Sequence, residues 1–322
     1  MTARPHLSGA LHAAWGSPRT SRAELRAEQD AALRRLAVHA YEQVRYYRRL
    51  FDRHRLHPRH LRGAVDLDLV PVSSREDLQA RGAGELLARG AEPAALLQVP
   101  SSTGMPLYRT WLEDLLQLVH GMRALGGLGL QPRDRVAVVG EREPGAANRH
   151  GLALQLLGLH RRRVFDAGRD PEGVLHALEG FVPDVLAGDP AMLDRIAGAP
   201  GAGRLRPRLV VVEGRPPMPR LRARLTEAFR APVRAAYGLG PDTVLATECG
   251  ETGAYHVREG WVLLEVLVDG RPAAVGERGE VAITFLHAYA MPLLRLRLGH
   301  LATRGGLCAC GAPFSTILAP DA

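Results

Sequence analysis

The chain has 322 residues, 46% of them hydrophobic, and its 42 basic residues are all arginine, set against 34 acidic ones for a formal charge of +8. Arginine keeps its proton at any accessible pH and is no amine nucleophile, so Schiff-base chemistry and a lysine clamp on a nucleotide phosphate are excluded from these residues. Three cysteines are too few for a disulfide framework, and no apolar run follows a charged start, so a cytoplasmic protein of two lobes or two close-packed domains, with no membrane segment, is expected.

From about Glu24 to Phe51, apolar residues recur at helical spacing: Leu25, Ala32, Leu33, Leu36, Ala37, Ala40, Val44 and Leu50. Ser73 or Ser74 is a natural N-cap for a short helix with acidic residues in its first turn. Leu97 to Val99 reads as a short strand running into the loop Ser101-Ser102-Thr103-Gly104-Met105-Pro106. The chain then alternates. Helices are predicted near 112–125, 151–159, 172–179, from Pro190, and over 220–229. Strands fall at 135–139, 164–165, 185–187 and 208–212, an order that predicts a parallel α/β sheet with helices on its faces. Beyond Tyr237, glycine turns and β-branched runs at 262–268, 279–285 and 293–298 predict a smaller, mainly antiparallel β lobe. The expected organisation is an N-terminal helical segment (1–95), an α/β core (96–237) and the β lobe (238–322).

The positive charge invites a nucleic-acid reading, since arginine neutralises phosphates. The arginines are spread along the whole chain, however. The densest clusters, Arg161 to Arg163 and His54 to His60, lack the interleaved aromatics of a stacking platform and read as solvated faces.

All three cysteines, Cys249, Cys308 and Cys310, lie in the last quarter, and His256 follows Cys249 across a glycine-bearing loop. Three thiolates and one imidazole are the Cys₃His set of a tetrahedral structural zinc site. Three unrelated buried cysteines are the alternative. Concentration of the whole cysteine content beside glycine turns favours zinc, whereas the C-x-C spacing is less usual than C-x-x-C.

Several stretches carry a resemblance. They are Tyr46-Tyr47-Arg48-Arg49-Leu50-Phe51, Leu69 to Leu78, Pro183 to Pro190, Gly276 to Val281, Ala290-Met291-Pro292-Leu293-Leu294-Arg295-Leu296-Arg297-Leu298-Gly299, and the knuckle Cys308-Ala309-Cys310-Gly311. Across about residues 41–314 the chain resembles the phenylacetate–CoA ligase (coenzyme F390 synthetase-like) branch of the adenylate-forming enzymes. The resemblance implies the large N-terminal α/β domain of that superfamily without its C-terminal lid. It also implies an ancestral activity that joins a carboxylate to AMP and passes the acyl group to coenzyme A.

Carried over by position, much of that apparatus is altered. The phosphate loop survives as Ser101, Ser102, Thr103 and Gly104, shortened, with Met105 where the family has lysine. Tyr237, the adenine-stacking residue of the resemblance, and Gly238 are kept, but Pro241 stands in place of the magnesium-binding glutamate, with Asp242 beside it. His300 replaces the aspartate that binds the ribose hydroxyls, and the lid with its catalytic lysine is expected to be absent. Each lost charge partner removes a large catalytic term.

Three functions follow as expectations. The first is a ligase-fold protein that does not use ATP or magnesium, keeps an acyl or carboxylate pocket, and serves as an accessory to an acyl-carrier protein or a complementing ligase subunit in a biosynthetic pathway. The second is an ATP-independent enzyme acting on a pre-activated acyl group, with His300 as general base and Ser101, Ser102, Thr103 and His287 as polar neighbours. His300 as drift at a disused site is the plainer reading of that residue. The third, resting on charge alone, is a nucleic-acid binder.

Overall fold

The computed structural model describes residues 21–92, 96–99, 107–131, 133–140, 161–166, 171–239 and 243–321. They fall into two compact units, one of Met1–His120 with His256–Ala322, the other of Gly121–Tyr255.

The first unit begins with helix α1 (Arg22–Gln43), capped by Ser21 through a reciprocal box with Glu24. It buries Leu25, Leu33, Leu36 and Ala40. The helical periodicity expected to run on to Phe51 is broken at Val44, which takes extended dihedrals (φ −114°, ψ 117°), and α2 (Arg45–Arg53) starts beyond it. Val44 is buried, so this β-branched residue still points into the core while the backbone turns. The apolar pattern stays in phase across the break, which is why periodicity alone reads one helix.

Ser74, rather than Ser73, caps α3 (Arg75–Gln79) through a box with Asp77. A single turn, α4 (Ala83–Leu86), follows, then the antiparallel pair β1 (Leu97–Val99) and β2 (Leu107–Arg109), and α5 (Trp111–Gly126).

The second unit holds the α/β alternation read from the sequence. Its strands are β3 (Val136–Gly140), β4 (Arg162–Asp166), β5 (Val185–Gly188), β6 (Leu209–Gly214), β7 (Val233–Gly238) and β8 (Val244–Glu248). Its helices are α6 (Pro171–Phe181), α7 (Pro190–Gly198) and α8 (Pro219–Phe229). The order is β4-β3-β5-β6-β7-β8, parallel throughout except for β8, which pairs antiparallel with β7. Alternate residues serve opposite faces. Ala137, Val139, Leu186, Val210 and Val212 pack with Leu178, Leu193, Ile196, Leu225 and Phe229 of the helices. Val136, Val138, Val185, Ala187 and Val211 pack instead with Ala124, Leu125 and Leu128. Such two-sided burial makes near-continuous valine runs legible as parallel strands. The expected helix over 151–159 lies outside the described residues. The arginine cluster falls on edge strand β4, where exposed Arg163 lies over Phe181 at 5.6 Å, and charge on an edge discourages further pairing.

Asp189 caps α7, accepting from the amides of Ala191 and Met192 at 2.9 and 3.0 Å, with Pro190 at the first helical position. Asp189→Ala is expected to lower stability by about 1 kcal/mol, read as a shifted urea midpoint at unchanged slope.

The first unit resumes with β9 (Tyr255–Val257), β10 (Val262–Val268), β11 (Arg271–Pro272), β12 (Arg278–Phe285), β13 (Leu296–Leu307) and β14 (Ser315–Asp321). Their order is β11-β10-β12-β13-β14-β9, with antiparallel pairing from β11 to β14, the lobe expected from the sequence. One strand starts later than its apolar run suggests. Leu293 to Arg295 is not strand, because its amides are taken elsewhere. Leu294 N donates to the Tyr47 hydroxyl and Arg295 N to Thr284 Oγ1, both at 2.9 Å, and Arg295 has a left-handed φ of 47°. Among the described residues, no helix is long and apolar enough to cross a membrane.

Candidate functional site

The cysteine–histidine set is brought together. After β8 the chain turns tightly: Cys249 N donates to Ala254 O at 2.7 Å and Gly253 N to Cys249 O at 3.1 Å, with Gly253 at φ 71°. The turn delivers Cys249 and, on β9, His256. Between β13 and β14, Gly311 N donates to Cys308 O at 3.2 Å and Gly311 takes φ 82°, forming the knuckle that carries Cys308 and Cys310. Both turns use glycine where an L side chain would be strained.

The ligand atoms of Cys249, His256, Cys308 and Cys310 all lie within 4.8 Å of one another, and Cys310 Sγ is 3.4 Å from His256 Nε2. An ion bonded to sulfur at about 2.3 Å and nitrogen at about 2.0 Å in tetrahedral geometry holds such atoms about 3.5–4 Å apart. The donor set therefore fits a metal ion. Burial, and then the nearby Arg258 charge, hold the His256 imidazole below its ordinary pKa, which favours the neutral form that can ligate.

The other expected site residues are placed separately. Ser101, Ser102, Thr103, Gly104, Met105, Pro241 and Asp242 lie outside the described residues. Tyr237, near the end of β7, is fully buried, in register with Gly214 and Ala246. Gly238 follows it, and a Cβ there would lie 2.1 Å from Thr243 O, so only glycine fits. His300 is buried on β13, directly after Gly299 at φ 73°. His287 is also buried, its Nε2 3.2 Å from Gly260 O.

Two arrangements escaped the sequence reading. Trp261 is flanked by two imidazoles, with His120 stacked at 4.7 Å and 17° and His287 tilted at 4.9 Å, and its indole N–H donates to Gln117 Oε1. These groups line a small cavity with Arg109, Phe285 and Met291, beside a buried Arg109–Asp114 ion pair at 3.6 Å. The second is Arg295, 2% exposed, whose guanidinium binds both Glu265 oxygens at 2.9 and 3.0 Å and the carbonyl of Val70 at 2.7 Å. His120 within the apolar face of α5 was the available signal for the first. Arg295 lies in a stretch quoted for the resemblance, but nothing local reveals its partner.

Comparison with known proteins follows the same lines. No family model matches the chain. It is 28% identical over 313 residues to a phenylacetate-coenzyme A ligase of Thermus thermophilus, covering 90% of this chain and 68% of that protein. It is 27% identical over 301 residues to the phenylacetate-coenzyme A ligase of Escherichia coli, covering 85% and 66%. The chain thus spans about two thirds of the length of these relatives. Among solved structures, 2-hydroxyisobutyryl-CoA ligase in an open conformation with 2-HIB-AMP and CoA superposes with a TM-score of 0.79 at 18% identity, over 92% of this chain and 69% of that one. Its postadenylation state with R3-HIB-AMP gives 0.79 at 20% identity, over 94% and 70%.

Proposed function

We propose that this homologue of the phenylacetate–CoA ligases, built on the adenylate-forming CoA ligase fold, has given up ATP-dependent adenylation and kept an acyl- or carboxylate-binding core. It would serve as an accessory to a carrier protein or a complementing ligase subunit in a biosynthetic pathway. One structural observation carries the reading: Tyr237, the residue expected to stack on adenine, has no exposed surface, whereas stacking needs an open ring face. Three substitutions support it: Met105 for the phosphate-loop lysine, Pro241 for the magnesium-binding glutamate and His300 for the ribose-binding aspartate. No lysine anywhere in the 322 residues can restore the lost phosphate partner, so that charge would have to come from another chain.

The test is ATP–pyrophosphate exchange by the chain alone across a panel of carboxylates that includes phenylacetate. No exchange above background is expected, and robust exchange with any member would sink the proposal.

A second reading rests on His300, a buried imidazole at the position the resemblance gives to a carboxylate. In that reading the pocket works on a pre-activated thioester, with His300 Nε2 or Nδ1 taking the proton of an attacking nucleophile. His300→Ala is expected to lower thioester turnover at least about 100-fold, and unchanged turnover removes the role.

For the metal set, we infer zinc held by Cys249, His256, Cys308 and Cys310. With four protein ligands the ion has no open position, so it would stabilise the fold and take no part in catalysis.

A further inference from the structure

The C-terminal half of α1 and the segment just beyond α2 face one another across an open groove that the proposed ligase core does not use. Its volume is about 410 Å³, within the range of small-molecule sites. From α1, Arg34, Val38, Tyr41 and Glu42 line it, at helical spacings that put them on one face. Eight residues separate Arg34 from Glu42, about 12 Å along the axis at 1.5 Å per residue.

Two contacts fix how the opposite wall runs. Arg34 Nη1 donates to the carbonyl oxygen of Arg62, and the Tyr41 ring lies 5.5 Å from the His57 ring. The walls are therefore antiparallel, and the groove has a polarity. One end gathers Arg34 and Arg62, with Arg59 between that end and His57. Its floor is apolar, formed by Val38 (42% exposed), Leu61 and Pro58. Glu42 stands at the far end.

The cationic end retains usable charge. Arg62 is neutralised by Asp66 at 2.8 Å, but Arg34 gives its hydrogen bond to a carbonyl. Arg59 is exposed and has no ion-pair partner among the described residues.

We propose that this groove binds a free amphiphilic monoanion, a medium-chain carboxylate. Its head group sits between Arg34 and Arg59, its tail lies over Val38, Leu61 and Pro58, and Glu42 selects against a second negative charge. The site lies wholly on residues 34–62, so its failure would leave the proposed function of the core untouched, and the converse also holds.

The experiment compares octanoate, decanoate and octanedioate by calorimetry and ligand-observed saturation-transfer NMR, on the whole chain at low salt. Octanoate is expected to bind with a dissociation constant below about 1 mM, tightening about two- to fourfold per added methylene. Octanedioate should bind at least about tenfold more weakly, and Glu42→Gln should narrow that gap to under about threefold. Val38→Asp and Arg59→Glu should each weaken octanoate at least about tenfold with an unchanged unfolding midpoint. Both positions are exposed, and Arg59→Gln and Val38→Ser stand in should either variant fold poorly. Unsaturable octanoate binding up to about 5 mM overturns the proposal. So does affinity that survives Val38→Asp and Arg59→Glu, which would put the ligand elsewhere, or octanedioate binding as tightly as octanoate.

Discussion

Replacing Arg295 with alanine is expected to cost about 3–5 kcal/mol of folding stability, the usual penalty for removing one partner of a buried ion pair. The magnitude follows from what the side chain leaves behind. Arg295 is 2% exposed, and its guanidinium satisfies both oxygens of Glu265 and the Val70 carbonyl. Without it, Glu265 keeps its charge in a poorly solvated place, and the carbonyl loses its donor. The same buried side chain sits where the amides of Leu294 and Arg295 turn away from the sheet, and Ser73 N and O bond to Arg295 O and Arg297 N at 3.0 and 2.9 Å. Loss of the anchor therefore loosens the attachment of the α3 segment to the start of β13.

The deficit should depend on pH in a definite direction. Burial raises the Glu265 pKa above its ordinary value, and the Arg295 hydrogen bond and charge pull it back down. In Arg295→Ala only the raising influence remains, so the folded state holds the Glu265 proton more tightly than the unfolded state does. Such a group costs stability above its folded pKa and ceases to do so once it is protonated. The deficit should thus be largest near neutral pH and shrink on acidification. Arg295→Ala/Glu265→Gln should recover at least about 1.5 kcal/mol at pH 7. Urea titrations of the three proteins at several pH values decide the matter, and a small, pH-independent deficit would show that the pair contributes little.

Much of the fold was legible because local signals agreed with tertiary ones. The run Val262–Val268 is bounded by Gly260 and the Asp269–Gly270 turn, and Asp189-Pro190 announces a helix start that the structure bears out. Misreadings arose where a local pattern continued while the backbone changed course. At Val44 the apolar spacing stays in phase through an extended residue, and at Leu293–Leu294 an apolar pair resembles strand although Tyr47 and Thr284 take the amides. The Arg295–Glu265 pair and the His120–Trp261–His287 stack join residues far apart in sequence, and no periodicity encodes such contacts. The metal set was legible because its chemistry is rare: every cysteine of the chain lies in it, beside turns that require glycine.

That set gives the other large expected effect. The protein purified without chelator should carry about one zinc per chain, and stripping it should lower the unfolding midpoint by roughly 5–10 °C. The size follows from mass action, since free metal a few hundred times above the dissociation constant stabilises the folded state by about 3 kcal/mol. In a chain of this size each kcal/mol shifts the midpoint by about 2–4 °C. Cys308→Ala should reproduce the shift and abolish stoichiometric binding, because Cys308 is buried and its loss opens the tetrahedron. Acid should act in the same direction as chelation. Thiolates must be deprotonated to ligate, and the folded state holds His256 below its ordinary pKa, so on acidification the unfolded chain takes up that proton first. Stability should then fall as pH drops through the ordinary histidine value, more steeply in the metal-loaded protein than in Cys308→Ala. Elemental analysis with thermal unfolding, each with and without chelator, reads both effects. A protein that binds no zinc, or whose midpoint ignores its removal, would return the three cysteines to the role of ordinary buried side chains.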